Sequence, residues 1–158
     1  MERDYIIAMR ESLEKKLGIL DEIYELSRLQ QELLSEEEMD FDSFDRYFDD
    51  KDICIEKLNE LDEGFELLYN RVGEVLRDRK ESYAEEIRVM QDLIRKITDR
   101  STSIEALEER NRKGIADALA KAHRQAKESK RSVSVAMNYY KQMNGIYDGT
   151  SSKMDKKK

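Results

Sequence analysis

The sequence predicts an all-α protein: an antiparallel bundle of three long helices followed by a flexible C-terminal segment. Three observations carry this reading. The 158 residues include no proline and only six glycines, the residues on which tight turns most depend. Charged residues make up 41% and apolar residues 39%, a balance suited to helices that bury a narrow stripe and solvate the rest. Apolar side chains recur at spacings of three and four in three stretches, separated by two polar regions. The length fits one domain better than two, divided here into a helical bundle over 1–130 and a C-terminal segment over 131–158.

The first helix is expected near 2–35, where Ile6, Met9, Leu13, Leu17, Leu20, Tyr24, Leu26, Leu29 and Leu33 form the stripe. It stops at the acidic SEEEMDFD, where a turn fits and Asp42 or Asp40 is placed to cap the second helix. That second helix, 43–77, has the most regular pattern. Phe44, Lys51, Leu58, Phe65 and Val72 share one heptad position, and Tyr47, Cys54, Leu61, Leu68 and Val75 share another. Such rows are the seam of a left-handed bundle. Cys54 is therefore expected to be buried and unreactive. Gly64 and Gly73 lie beside these rows, each costing about 1 kcal/mol against alanine in a helix interior. Both read as places where another chain comes close.

RDRKES, at 77–82, permits a turn. A third helix is expected over 80–140, with Tyr83, Ile87, Met90, Ile94, Ile97, Ser101, Ile104 and Leu107 inward. Thr102 and Glu105 have capping-box spacing, so a break at 101–114 is the alternative to a continuous or bent helix. Beyond 110 the stripe thins to alanines. It recovers in SVSVAMNYYKQMNGIY, where Val133, Met137, Tyr140, Met143 and Tyr147 share roughly one face. The small, polar, basic ending GTSSKMDKKK is expected to be disordered.

Net charge is −7, distributed as −10 over 1–50, −3 over 51–100 and +6 over 101–158. The basic C-terminal part is thus suited to packing back on the acidic part or to meeting a separate partner.

The residues for most chemistries are missing. One cysteine excludes an internal disulfide, and one histidine, His123, excludes histidine triads and multi-histidine metal sites. An EF-hand loop from Asp40 would need an acid or amide at position five, glycine at six and glutamate at twelve. The chain has Phe44, Asp45 and Lys51 there. The glycines are scattered, so no phosphate-binding loop exists. Lys127, Lys130, Arg131 and Lys156 to Lys158 make a weak case for nucleic acid against a pI near 5.0. No stretch approaches the roughly 20 apolar residues of a membrane span, and MERDYIIAMRE lacks the features of a signal peptide. The expectation is a cytoplasmic protein that is not an enzyme, holds no metal or cofactor, binds no nucleic acid and does not insert into a membrane. A binding or scaffolding protein remains.

KDICIEKLNELDEGFELLYNRV, at 51–72, resembles the second-helix signature of FlgN-type flagellar export chaperones of Gram-positive bacteria. Lys51, Asp52, Leu58, Leu61, Asp62, Gly64, Phe65 and Tyr69 match that pattern; Gly73 lies outside it. The terminal tyrosine-containing segment and MDKKK are also similar to the family's ending. The resemblance implies a chaperone that holds hook-associated (hook–filament junction) proteins before secretion and delivers them to the type III export apparatus. By position it implies that Val133, Met137, Tyr140, Met143 and Tyr147 bind the cargo, on a face partly exposed in the free protein. The competing reading is a structural or adaptor coiled-coil protein that self-associates.

Overall fold

The computed structural model describes residues 2–125 and 135–143. It contains α1 (Glu2–Leu34), α2 (Phe41–Asp78) and α3 (Ala84–Gln125), then α4, described over 135–143. Among the described residues there is no strand. Cross-links fix the directions. Lys16 meets Asp62 and Ser27 meets Lys51, so α1 and α2 are antiparallel. Arg3 meets Glu86, Asp21 meets Arg100 and Ser27 meets Asn111, so α1 and α3 are parallel. α1 is central: α2 and α3 both pack along it and barely approach each other.

Local chemistry places the helix ends. Asp40, not Asp42, caps α2. Its carboxylate accepts from the Ser43 backbone N–H at 3.0 Å and from the Ser43 hydroxyl at 2.7 Å. α2 closes when the Arg79 N–H donates to Val75 O at 2.8 Å, and a turn through 79–83 starts α3 four residues later than the sequence suggested.

α3 runs unbroken across 101–114. Thr102 does not cap a new helix. Its hydroxyl donates back to Thr98 O at 3.0 Å, as Ser103 does to Asp99 O at 3.1 Å, the usual way such residues are accommodated inside a helix. The expected extension of the same helix to 140 does not hold. One straight helix would separate Glu108 from Tyr139 by about 46 Å at 1.5 Å per residue, yet both lie against Lys51, whose Nζ is 2.8 Å from Glu108 Oε1 and 4.2 Å from the Tyr139 ring. The chain beyond 125 returns to the bundle; residues 126–134 lie outside the described residues.

The core is a strict alternation of three and four. On α1 it runs Ile6, Met9, Leu13, Lys16, Leu20, Ile23, Ser27 and Gln30, all buried. The expected members Leu17, Tyr24, Leu26 and Leu33 are only partly buried beside it. On α2 one predicted row, Phe44 to Val72, is inward. The second inward row is Phe48, Ile55, Asp62, Tyr69 and Leu76, one residue on from the one predicted. The shift is physical: α2 faces α1 on one side and the α4 seat on the other, so Phe48 is needed where Tyr47 is not. Cys54 stays buried, 4% exposed, at the edge of the α1 contact.

Two glycines have a spatial reason. A Cβ on Gly114 would sit 2.8 Å from Leu34 Cδ1, so glycine lets the end of α1 abut α3. A Cβ on Gly73 would sit 3.2 Å from Tyr69 Cζ, so glycine lets that ring lie over the helix. Gly64 meets nothing within 4 Å.

Burial, reinforced by the neighbouring Glu22 carboxylate, which accepts from it at 3.5 Å, pushes the Cys54 thiol up to about 11. Since the thiolate is the reactive form, Ellman's reagent at pH 8 should label the native protein at least tenfold more slowly than the urea-unfolded chain. Equal rates would place Cys54 on the surface.

Candidate functional site

The polar residues on the three seams are not scattered. Lys16 on α1 bonds Asp62 on α2 at 2.6 Å. The others meet nearer the C-terminal end of α1. There Lys51 of α2, fully buried, donates to Glu108 Oε1 of α3 at 2.8 Å, to Ser27 Oγ of α1 at 3.2 Å, and to Gln30 Oε1. All three ammonium hydrogens are used. Ser27 also donates to Glu108, Asn111 Nδ2 donates to Ser27 O at 2.8 Å, and Gln30 Nε2 donates to Phe44 O at 3.1 Å. Burial pushes Lys51 down to about 8, and the Glu108 carboxylate opposes that shift.

α4 roofs this node. Ala136, Tyr139, Tyr140 and Met143 are buried, at 1%, 2%, 4% and 1% exposure, and their spacing of three, four and seven puts them on one helical stripe. The Tyr139 ring lies 4.2 Å from Lys51 Nζ, a cation–π contact, and 4.5 Å from the Phe48 ring. Tyr140 stands edge-on to Phe48 at 5.8 Å, and Phe48 to Phe44 at 4.9 Å. On the α3 side Tyr140 faces Glu108 and Arg112; burial first, then the Glu108 charge, push its phenol up. α4 therefore occupies the groove between α2 and α3.

The seat is apolar at its walls and imperfectly matched at its floor. Glu108 Oε2, Asn111 Oδ1 and the Tyr140 hydroxyl are buried without a hydrogen-bond partner among the described residues. Each such group costs about 1–3 kcal/mol.

The five residues expected to share an open face divide. Tyr140 and Met143 are buried under α4, where an open face was expected. Met137 is on its other side and 52% exposed. Val133 and Tyr147 lie outside the described residues, as do Lys127, Lys130, Arg131, Lys153 and the terminal lysines. Tyr139, which supplies the contact to Lys51, escapes a reading of the sequence alone; the spacing 136, 139, 140 and 143 is the signal for it. Among the described residues no cluster of histidine, cysteine or acids is arranged to hold a metal, and no helix is long and apolar enough to cross a membrane.

A family model described as FlgN protein matches residues 1–144. The matched stretch contains all four described helices and ends before Tyr147 and MDKKK. No curated protein and no solved structure matches the chain.

Removing one member of the buried pair leaves the other charge unpaired. Lys51→Met should cost about 3–5 kcal/mol in urea unfolding, and Lys51→Met/Glu108→Met should recover most of that loss, because an apolar pair avoids the burial of charge altogether. Additive losses in the double variant would mean that the two groups do not interact.

Proposed function

This chain belongs to the FlgN family of flagellar export chaperones, and from that premise we propose that it holds hook-associated proteins in the cytoplasm and releases them to the export apparatus. The cargo-binding element is the C-terminal segment: Val133, Met137, Tyr140, Met143 and Tyr147, with Tyr139 added. Tyrosine and methionine suit such a surface. Tyrosine is enriched at interfaces, and methionine repacks readily against varied partners.

The observation that carries the reading is that α4 buries its aromatic stripe over polar atoms without partners among the described residues. A segment held this way leaves its seat at small net cost, since water satisfies Glu108, Asn111 and Tyr140 once it does. Cargo then meets a mobile amphipathic helix whose anchors were covered. Covering them in the free chain also keeps large aromatic side chains out of solvent.

Self-association through an outer coiled-coil seam has less support. The exposed apolar residues of α2, Ile53 and Leu67, share a heptad row with Glu60 and Glu74, and carboxylates at alternate positions break a seam.

Calorimetric titration with a purified hook-junction protein tests the proposal. A chain ending at Ser129 should retain helical α1–α3 and bind at least tenfold more weakly than the full chain. Removing Lys156, Lys157 and Lys158 alone should weaken binding slightly, and less at high salt. Equal or tighter binding by the Ser129 truncation would move the cargo site off α4. No binding by the full chain would end the chaperone reading.

A further inference from the structure

We propose that the end of the α2–α3 groove remote from α4 is a second docking site, built for an acidic amphipathic helix of another protein. The groove exists because α2 and α3 both lie on α1 without closing on each other. At one end α4 fills it, with Tyr139 and Tyr140 between Phe48 of α2 and Glu108 of α3. Moving down α1 from Ser27 to Met9, roughly 27 Å at the helical rise, no described residue fills the same groove.

There it forms a cavity of about 350 Å³, in the range of clefts that accept large anchor side chains. Phe65, Tyr69 and Leu76 of α2 wall one side, Ile87 and Ile94 of α3 the other, and Met9 of α1 lies beneath. Gly73 shapes it: with no Cβ there, the Tyr69 ring lies back on α2 instead of standing into the opening. Gly73 had no place in the sequence signature, and this gives it one.

Charge selects the occupant. Arg77 and Lys80 line the cavity, both are exposed, and neither makes an ion pair among the described residues. Nearby Arg79, Arg88 and Arg95 are each paired with a carboxylate. Two such cations beside an apolar cleft fit a helix with large apolar residues on one face and carboxylates flanking it. The chain's own ending, with Lys153 and Lys156 to Lys158, has the wrong sign for this site. The continuity with the α4 seat argues for a helix in particular, because the same two walls already hold one. The site uses no residue of α4, so it stands or falls independently of the cargo assignment.

The probes are two synthetic 20-residue amphipathic helices with the same leucine and phenylalanine stripe, one flanked by glutamates and one by lysines. Each is titrated into the full chain labelled at isoleucine and methionine methyls. The glutamate peptide should bind at least tenfold more tightly, with shifts concentrated at Met9, Ile87, Met90 and Ile94. Arg77→Glu/Lys80→Glu, at exposed positions that leave the core intact, should reverse the preference. Equal affinities, a preference that the reversal does not change, or shifts confined to Ile53 or Met143 would overturn the proposal. So would sedimentation showing that the unliganded chain is a dimer that Arg77→Glu dissociates, since the occupant would then be a second copy.

Discussion

A single ammonium group sets the register of this bundle. Lys51 is buried completely, and a buried cation is tolerable only where its hydrogens all find acceptors. It finds them on two other helices: Ser27 and Gln30 on α1, and Glu108 on α3. The Tyr139 ring of α4 covers its remaining side. Sliding α2 by one turn, about 5.4 Å, would break all of these contacts at once, whereas an apolar seam would tolerate such a slip far better. The Lys16–Asp62 pair, near the middle of α1, imposes the same register a second time. Lys51 and Asp62 both belong to the stretch that resembles the family signature. Their place in the structure indicates that this signature records how the helices are locked together, with Phe65 and Tyr69 left to line the groove.

The same node governs α4. A purely apolar floor would hold the aromatic stripe more firmly. Here the floor presents a carboxylate oxygen and an amide oxygen without partners among the described residues, and the stripe brings a phenol that is equally unmatched. Aromatic packing around Phe48 favours the docked state, while desolvation of these groups opposes it. On the proposed reading this balance leaves α4 bound yet replaceable, the property a segment needs if its anchors are to serve another protein. At the far end of the groove the walls are as apolar but carry no buried charge, and no segment of the described chain fills them.

Much of this was legible in the sequence because spacing alone reveals helices. The three long helices, the two turns between them and the burial of Cys54 all follow from apolar periodicity. The seams themselves were less legible, and for one reason. Lys16, Ser27, Gln30, Asp62, Glu108 and Asn111 occupy core positions that a search for apolar residues passes over, so the α1 stripe reads through Leu26, Leu29 and Leu33 instead. Lys51 did stand on a predicted row, as its one discordant member, and that discordance was the best signal of a buried polar cluster. The return of the chain beyond 125 was not legible, because alanine-rich sequence is equally compatible with a continuing helix. The orientation of α4 was hidden by the same omission: without the Phe48 wall and the Lys51 floor, nothing distinguishes the face bearing Tyr139 from the face bearing Met137.

Hydrogen exchange along the chain, with and without a hook-junction protein, tests most directly whether α4 is docked yet replaceable. Amides of residues 139–143 in the free protein are predicted to exchange well before those of Ile23, Leu58 and Ile104, yet more slowly than an unstructured peptide. Addition of the hook-junction protein should then change protection at 139–143 and around Phe48 together. Amides of α4 that exchange as slowly as the α1 core, and do not respond to that protein, would contradict a docked but replaceable helix.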